Sequence, residues 1–136
     1  MRVGWWVSEV DARDPGRVRA FALGLEAEAQ TVARLVEDGW QILARNWRGA
    51  GGELDVVVLR GGALRFVEVK ARVDAAIDAE EALHAAKRSR LVSAAASWLD
   101  ANPSLEVDQI AFLVVVVDCT VEPWAWFWLD DAFDVG

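Results

Sequence analysis

The paired apolar runs on either side of Gly61-Gly62 constrain the fold more than any other part of the sequence. Two runs rich in β-branched residues around two glycines predict a β-hairpin with a two-residue loop. In the register that this loop sets, Asp55 faces Glu68 and Glu53 faces Lys70. Because side chains alternate along a strand, these four charged residues are expected on one face, at the end of the hairpin away from its turn.

The remaining hairpin residues are apolar on both faces, which predicts a central pair of strands that is covered on both sides. Facing Cβ atoms lie roughly 5 Å apart, and two carboxylates that close repel each other unless a cation or a proton lies between them. Two interpretations stay open. Glu53 and Lys70 form an ordinary cross-strand ion pair while Asp55 and Glu68 are solvated at a sheet edge, or the carboxylates of Asp55 and Glu68 bind a metal ion.

Length and composition predict a single globular domain over residues 1–136, with residues 1–13 as an extra N-terminal segment. No apolar run is long enough to span a bilayer, and we expect a cytoplasmic protein without membrane attachment. One cysteine, Cys119, and one histidine, His84, exclude an internal disulfide and any metal site built from several such residues.

The net charge of −8 argues at first against a nucleic-acid partner. All 14 Lys and Arg residues, however, lie in residues 1–90, and 91–136 contain only acidic charges. A basic surface around the hairpin is therefore compatible with the sequence.

A first helix is predicted from Asp14-Pro15, an N-cap followed by proline at the first helical position, to about Asp38 before Gly39. Glu28 interrupts the apolar stripe of this helix, which consists of Phe21, Leu25, Val32 and Leu35. Its carboxylate either reaches solvent at the edge of the stripe or points toward the sheet. Glu26 is expected to be more solvated.

The remaining elements predict an α/β fold: a mixed sheet of about five strands with two main helices. A strand over 40–47 precedes a glycine-rich turn, and a second helix over 79–101 starts at Asp78. Strands over 110–118 and 124–129 follow, the last with three tryptophans on one face. The basic cluster of Lys87, Arg88 and Arg90 in the second helix is either a solvated face or a phosphate-contacting surface.

Several motifs together resemble the YraN family of small bacterial proteins, whose fold is restriction-endonuclease-like (PD-(D/E)xK) and similar to that of archaeal Holliday-junction resolvases. The motifs that carry the resemblance are Gly24 to Glu28, Gly39 to Arg48, Gly52-Glu53-Leu54-Asp55, Phe66 to Arg72, and Ala82 with Lys87, Arg90 and Leu91. They cover about three quarters of the chain. The combination of Gly-Glu-x-Asp with Phe-Val-Glu-Val-Lys is specific, whereas Glu-x-Lys alone would not be.

The resemblance implies that Asp55, Glu68 and the Val69 carbonyl bind Mg²⁺ or Mn²⁺, with Glu28 completing the acidic site. Lys70 would position or deprotonate the attacking water, so the catalytic set is Glu28, Asp55, Glu68 and Lys70, with Glu53 in support. The residues expected to contact nucleic acid are Arg48, Arg72, Lys87, Arg88 and Arg90.

The function expected from the resemblance is metal-dependent hydrolysis of phosphodiester bonds in DNA, with branched or structured DNA as one class of substrate. The alternative is a non-catalytic module that binds nucleic acid or protein on a nuclease-like core. A homodimer is a further expectation, because the last strand would leave an edge of the sheet open to a second chain.

Overall fold

Two helices and a five-stranded sheet make up the computed structural model, which describes residues 14–73 and 85–131, without the side chains of 85–89. The elements are α1 (Pro15–Glu37), β1 (Gln41–Gly49), β2 (Gly52–Arg60), β3 (Ala63–Arg72), α2 (Ala85–Ala101), β4 (Gln109–Asp118) and β5 (Ala125–Asp130). The prediction of an α/β fold with a mixed sheet of about five strands and two main helices is confirmed. The expected N-terminal segment 1–13 and the expected start of the second helix at Asp78 lie outside the described residues.

The strands lie side by side in chain order, from β1 at one edge to β5 at the other. Strands β1, β2 and β3 form an antiparallel meander, and β4 is parallel to β3 because the connection between them crosses over through α2. Strand β5 returns antiparallel to β4.

The ends of α1 follow the predicted capping signals. The Asp14 carboxylate accepts hydrogen bonds from the backbone N–H groups of Gly16 and Arg17, and Pro15 opens the helix, where no intrahelical donor is required. After the C-cap at Asp38, Gly39 adopts a φ of +90°, which only glycine adopts without strain.

The central hairpin is buried on both faces, as predicted. One core cluster, under α2, contains Leu54, Val57 and Phe66. The other, under α1, contains Val56 and Val67. The Phe66 ring meets Trp98 edge-on at a centroid distance of 5.8 Å, which ties α2 to the sheet.

The buried face of α1 differs from the predicted stripe. Leu25 is 37% exposed, whereas Ala27 and Thr31 are completely buried beside Glu28 and Leu35. The small side chains of Ala27 and Thr31 allow the helix to approach the sheet closely, and the Thr31 hydroxyl donates to the Ala27 carbonyl. Glu26 is exposed, as expected.

The glycine-rich turn between β1 and β2 has two structural roles. Gly51 has a φ of +74°, which closes the turn. Gly52 lies so close to α2 that a Cβ there would come within 2.7 Å of the Arg90 carbonyl oxygen. The close approach is therefore to the backbone of the protein's own helix.

In the part of the chain that the structure describes, no helix has the length and apolar character needed to cross a membrane. Burial raises the pKa of the Cys119 thiol, and the nearby Asp118 carboxylate adds to the effect. A thiol with a raised pKa is a poor nucleophile at neutral pH, which agrees with a structural cysteine.

Candidate active site at the open end of the hairpin

The β2–β3 ladder is regular near the turn and stops before it reaches the predicted carboxylate pair. Paired residues run from Arg60 and Ala63 to Val56 and Val67, in the predicted register. Asp55 and Glu68 continue that register in sequence but are not a ladder pair. The two strands therefore part at the position where the sequence places the carboxylates.

The Asp55 side chain occupies the place where the ladder would continue. Its Oδ2 atom accepts a hydrogen bond from the Val69 backbone N–H at 3.0 Å. In an uninterrupted ladder, Val69 would instead face Leu54. Because Val69 lies between Glu68 and Lys70 in β3, this bond places the Asp55 carboxylate next to both of those residues.

The same bond shows which way the Val69 carbonyl points. In a strand, the N–H and C=O groups of one residue are directed to the same neighbouring strand, as in a hydrogen-bonded antiparallel pair. The Val69 N–H is directed toward β2, so its C=O is directed to that side as well, into the region where the β2–β3 ladder has ended.

Asn46 in β1 lies opposite this end of β2. It has a positive φ of 51°, and it faces Asp55, since its neighbours Arg45 and Trp47 pair with Val56 and Leu54. Asparagine is one of the few residues other than glycine that adopt this conformation readily.

In both strands, the alternation of side chains between the two faces of the sheet changes at this point. Ala44 and Trp47 in β1, three residues apart, both pack under α2, and so do Leu54 and Val57 in β2. Regular strands would place residues three apart on opposite faces. The side-chain alternation is thus irregular at Asn46 and Asp55, at the place where the Asp55 side chain reaches the Val69 N–H.

Glu68 and Asp55 are each only 7% exposed, and Lys70 is half-buried. Glu68 and Lys70 pair in register with Val114 and Val116 of β4, which belong to the core under α2. Both side chains therefore project toward the α2 face of the sheet.

Glu28 lies on α1, in the layer on the other face of the sheet. It is 6% exposed on α1, and its Oε1 lies 3.9 Å from Nη2 of Arg45. Its burial agrees with a carboxylate directed at the sheet and excludes a solvated one. Within residues 14–73 and 85–131, no group of three or more His, Cys, Asp or Glu side chains is arranged to hold a metal ion.

Glu53 forms an ion pair with Arg48 on the neighbouring strand, with 3.2 Å between Nε and Oε2. Arg72 pairs with Asp118 at 3.2 Å. The pKa of Asp118 is lowered, first by hydrogen bonds from the Thr120 hydroxyl and N–H, and further by Arg72. Two of the four arginines that were expected to contact nucleic acid, Arg48 and Arg72, thus already have a carboxylate partner.

The basic segment of α2 lies at the same end of the molecule as the carboxylates. Arg90 is exposed, and its carbonyl lies against Gly52, three residues before Asp55. The side chains of Lys87 and Arg88 lie outside the described residues, although the backbone of both belongs to α2.

Three residues at or near the sheet were not foreseen from the sequence. Arg45 partners Glu28, Asn46 has a positive φ within β1, and Arg65 is a buried arginine in the hairpin. The asparagine itself, a residue that adopts a positive φ more readily than most, is the sequence signal of the irregularity. For Arg65, the alternation of β3 indicated a buried position, but its acidic partner Asp130 is 65 residues away in the chain.

The fold and this site define a class of α/β protein with an antiparallel meander, a crossover helix, and acidic residues where the two central strands part. A profile of Uncharacterised protein family UPF0102 matches residues 27–117, and the chain belongs to this family, in agreement with the resemblance to YraN proteins.

Three similar proteins carry the name of this family. A UPF0102 protein of Bradyrhizobium sp. (strain ORS 278) is 39% identical over 103 residues, which cover 76% of this chain and 72% of that protein. A UPF0102 protein of Rhodopseudomonas palustris (strain HaA2) is 40% identical over 103 residues, covering 76% of this chain and 80% of the relative. One from Nitrobacter winogradskyi is 41% identical over 101 residues, covering 74% and 85%.

Proposed function

We propose that this protein is a divalent-metal-dependent endonuclease that hydrolyses phosphodiester bonds in DNA, with branched or otherwise structured DNA as the preferred substrate. One observation carries the proposal. The Asp55 carboxylate lies 3.0 Å from the backbone nitrogen of the residue between Glu68 and Lys70. This contact supports a site in which the two buried carboxylates of Asp55 and Glu68 act together with Lys70 where the β2–β3 ladder ends.

The donor set fits Mg²⁺ or Mn²⁺. Carboxylate and carbonyl oxygens are the hard ligands that Mg²⁺ prefers, and Mg²⁺ commonly takes only one or two carboxylates and keeps several waters for substrate phosphate. In our proposal Asp55 and Glu68 hold the ion, with the Val69 carbonyl as a third ligand. A bound ion would lower the pKa of a coordinated water and stabilise negative charge on the phosphate.

The proposal assigns the remaining steps to the chain's own residues. Lys70 would place its Nζ beside the attacking water and the scissile phosphate, where a compact cation can orient the one and balance the charge of the other. Glu28 would complete the acidic site from the α1 layer, with Arg45 holding its carboxylate in place. Glu53 would support the site by keeping Arg48 at its rim.

The position of the basic residues supports DNA as the substrate. The elements that border the open end of the hairpin contain Arg48, Arg72 and Arg90. The N-terminal part of α2, which contains Arg90, also contains Lys87 and Arg88. Phosphate contacts of this kind would orient the strand without reading its sequence. The ion pairs of Arg48 with Glu53 and of Arg72 with Asp118 would have to share these guanidinium groups with DNA.

The test is cleavage of end-labelled four-way junctions, flaps, duplex and single strands in Mg²⁺ or Mn²⁺. We expect Asp55→Asn and Lys70→Met to lower the rate at least about 100-fold, since each removes a group that acts on the transition state. Asp55→Asn keeps an oxygen that can accept from the Val69 N–H, so the fold is preserved. Asp100→Asn, on an exposed position of α2, is the matched control and should cleave like wild type.

Glu28→Gln separates a catalytic carboxylate from a structural one. If Glu28 completes the site, cleavage falls while the free energy of unfolding changes little. If Asp55→Asn and Lys70→Met cleave DNA at the same rate as wild type, the proposal is contradicted, because the activity does not depend on these two residues.

One observation favours a second function, that of a protein-interaction module. Strand β5 is the edge of the sheet, and its large apolar side chains Phe127, Trp128 and Leu129 are 53%, 41% and 43% exposed. An apolar edge strand can pair with a strand of another chain, including a second copy of this one. Analytical ultracentrifugation of wild type and Phe127→Lys tests this: a dimer that the substitution dissociates supports it, and a monomer at high concentration contradicts a homodimer.

A further inference from the structure

A cavity of about 410 Å³ lies on the α1 side of the sheet, away from the candidate active site. It is bordered by the C-terminal part of α1, the turn end of the β2–β3 hairpin, and β5. Its volume is within the range of 300–1,000 Å³ that is typical of small-molecule sites. Arg60 lies five residues along β2 from Asp55, about 17 Å at the usual rise, and Trp128 lies two strand spacings, roughly 10 Å, from Val69 through Val115. None of the residues that line the cavity is among the proposed metal ligands.

The walls combine positive charge with aromatic rings. Three arginines, Arg34, Arg60 and Arg65, line the cavity together with Trp40 and Trp128. Two aspartates, Asp38 and Asp130, are the acidic residues of the wall, so its formal charge is positive in a chain whose net charge is −8. Such a wall attracts an anion in a molecule that otherwise repels one.

The three arginines differ in how many of their N–H groups are already hydrogen-bonded within the protein. Arg65 is 7% exposed and its guanidinium is held by Asp130, Gln109 and the Leu64 carbonyl, so it is part of the wall rather than a free donor. Through these bonds it joins β3 to β4 and β5 at this wall of the cavity.

Arg34 and Arg60 retain donors for a ligand. Arg60 binds Asp38 through Nη1, and its guanidinium lies 4.3 Å from the Trp40 ring. Arg34 stacks on the Trp126 ring at 4.0 Å, and in the described part of the chain it forms no ion pair. Stacking on an aromatic face leaves the N–H edge of a guanidinium free, which is the edge that binds phosphate.

Trp128 supplies an aromatic surface for a planar group. Trp128 is 41% exposed, and its ring lies nearly parallel to that of Trp126 at a centroid distance of 6.1 Å. A base that stacks on a preordered indole gains affinity without a cost for ordering the ring.

We propose that this cavity binds a nucleoside monophosphate group, either free or as a unit of a single DNA strand. The phosphate is bound by Arg34 and Arg60, and the base stacks on Trp128. The site does not require the proposed nuclease activity, since it uses none of the residues at the open end of the hairpin.

The test is calorimetric titration of dAMP, of deoxyadenosine and of inorganic phosphate into wild type and variants. We expect dAMP to bind more tightly than either fragment. Arg34→Ala should weaken dAMP at least about tenfold, the effect of losing a charge-assisted hydrogen bond. Arg17→Ala removes an exposed arginine of the same helix outside the cavity and should leave dAMP affinity unchanged.

Trp128→Leu separates the two parts of the ligand. It should weaken dAMP about fivefold or more, the size of one base–aromatic contact, and leave inorganic phosphate unaffected. Trp128→Phe should restore part of the affinity, which a variant with a damaged fold would not do. Equal affinity of wild type and Arg34→Ala for dAMP, or no binding of dAMP to wild type, would overturn the proposal.

A 5′-phosphorylated dA tetranucleotide distinguishes the source of the ligand. Tighter binding than dAMP, lost in Arg34→Ala, assigns the cavity to the end of a DNA strand, whereas equal binding assigns it to a free nucleotide. All titrations are repeated in Asp55→Asn. Retained dAMP binding in that variant shows that the cavity acts independently of the proposed active site.

Discussion

The two ends of the central hairpin use charge in opposite ways. Near the turn, the β2–β3 ladder is regular, and the buried Arg65 is neutralised by Asp130 and further hydrogen bonds. At the open end, the ladder stops, and Asp55 and Glu68, two buried groups of like charge, lie beside it. A fold selected only for stability has no reason to interrupt its central ladder at its most acidic point. In our proposal, the turn end maintains the fold and the open end is specialised for chemistry.

The largest effect on stability is expected in the regular half. Phe66 is 1% exposed and contacts Trp98 and Phe112. Phe66→Ala should lower the free energy of unfolding by about 3–5 kcal/mol, the cost of a large cavity in a packed core. Urea denaturation measures it, with Phe66→Leu as the milder control. By contrast Asp55→Asn should change stability by less than about 1 kcal/mol, and a loss as large as that of Phe66→Ala would remove the distinction between the two ends.

The second-largest effect is expected at Asn46, because its positive φ lies at the open end of the hairpin. A β-branched residue at a φ of 51° costs roughly 1–3 kcal/mol, so Asn46→Val should destabilise the irregular segment and displace Asp55 from Val69. Asn46→Gly tolerates this φ and should retain the geometry. The NMR shift of the Val69 amide reports the hydrogen bond to Asp55 directly. An unchanged shift in Asn46→Val would show that the irregularity does not position Asp55.

The third effect compares two ion pairs at the turn end. Asp130→Ala removes the partner of an arginine whose side chain is 9% exposed, so we expect a loss of about 1–3 kcal/mol. Asp38→Ala removes the partner of Arg60, in a pair whose side chains are 49% and 71% exposed, and should cost at most about 1 kcal/mol. Thermal unfolding in parallel gives both values. Equal losses would mean that burial of Arg65 does not govern the strength of its pair.

The smallest effect is a change in pH dependence at the end of β4. The Thr120 hydroxyl and N–H lower the pKa of Asp118 in the folded state. A carboxyl group with a lowered folded-state pKa contributes stability above its unfolded pKa of about 3.9, and that contribution is lost as the pH falls through the folded-state value. Thr120→Val should raise the pKa of Asp118 and reduce this contribution. Carboxyl-carbon NMR titration measures the shift, and an unaltered titration would contradict the assignment to Thr120.

The sequence predicted the elements that depend on local signals. Asp14-Pro15 and Gly39 predicted the ends of α1, and Gly61-Gly62 predicted the hairpin register, because capping and turn chemistry are read within a few residues. The mixed sheet followed from the order of apolar runs. The helical period also placed Glu28 on the buried side of α1, although it missed the close contact of Ala27.

The sequence could not predict what depends on distant or exceptional geometry. A regular hairpin would make Asp55 and Glu68 a cross-strand pair, but the ladder ends before them, opposite Asn46 with its positive φ. The partnership of Arg65 with Asp130 joins β3 to β5, which no short-range pattern encodes. The features that the sequence did not predict lie at the candidate active site and at the wall of the cavity, where tertiary contacts determine the structure more than local sequence does.

Calorimetric titration of Mn²⁺ into wild type, Asp55→Asn and the exposed control Asp100→Asn tests the central claim most directly, because it requires no assumption about the DNA substrate. We predict saturable binding to wild type and to Asp100→Asn, and loss of that binding in Asp55→Asn. Binding of equal affinity to all three proteins would contradict a metal site at the open end of the hairpin.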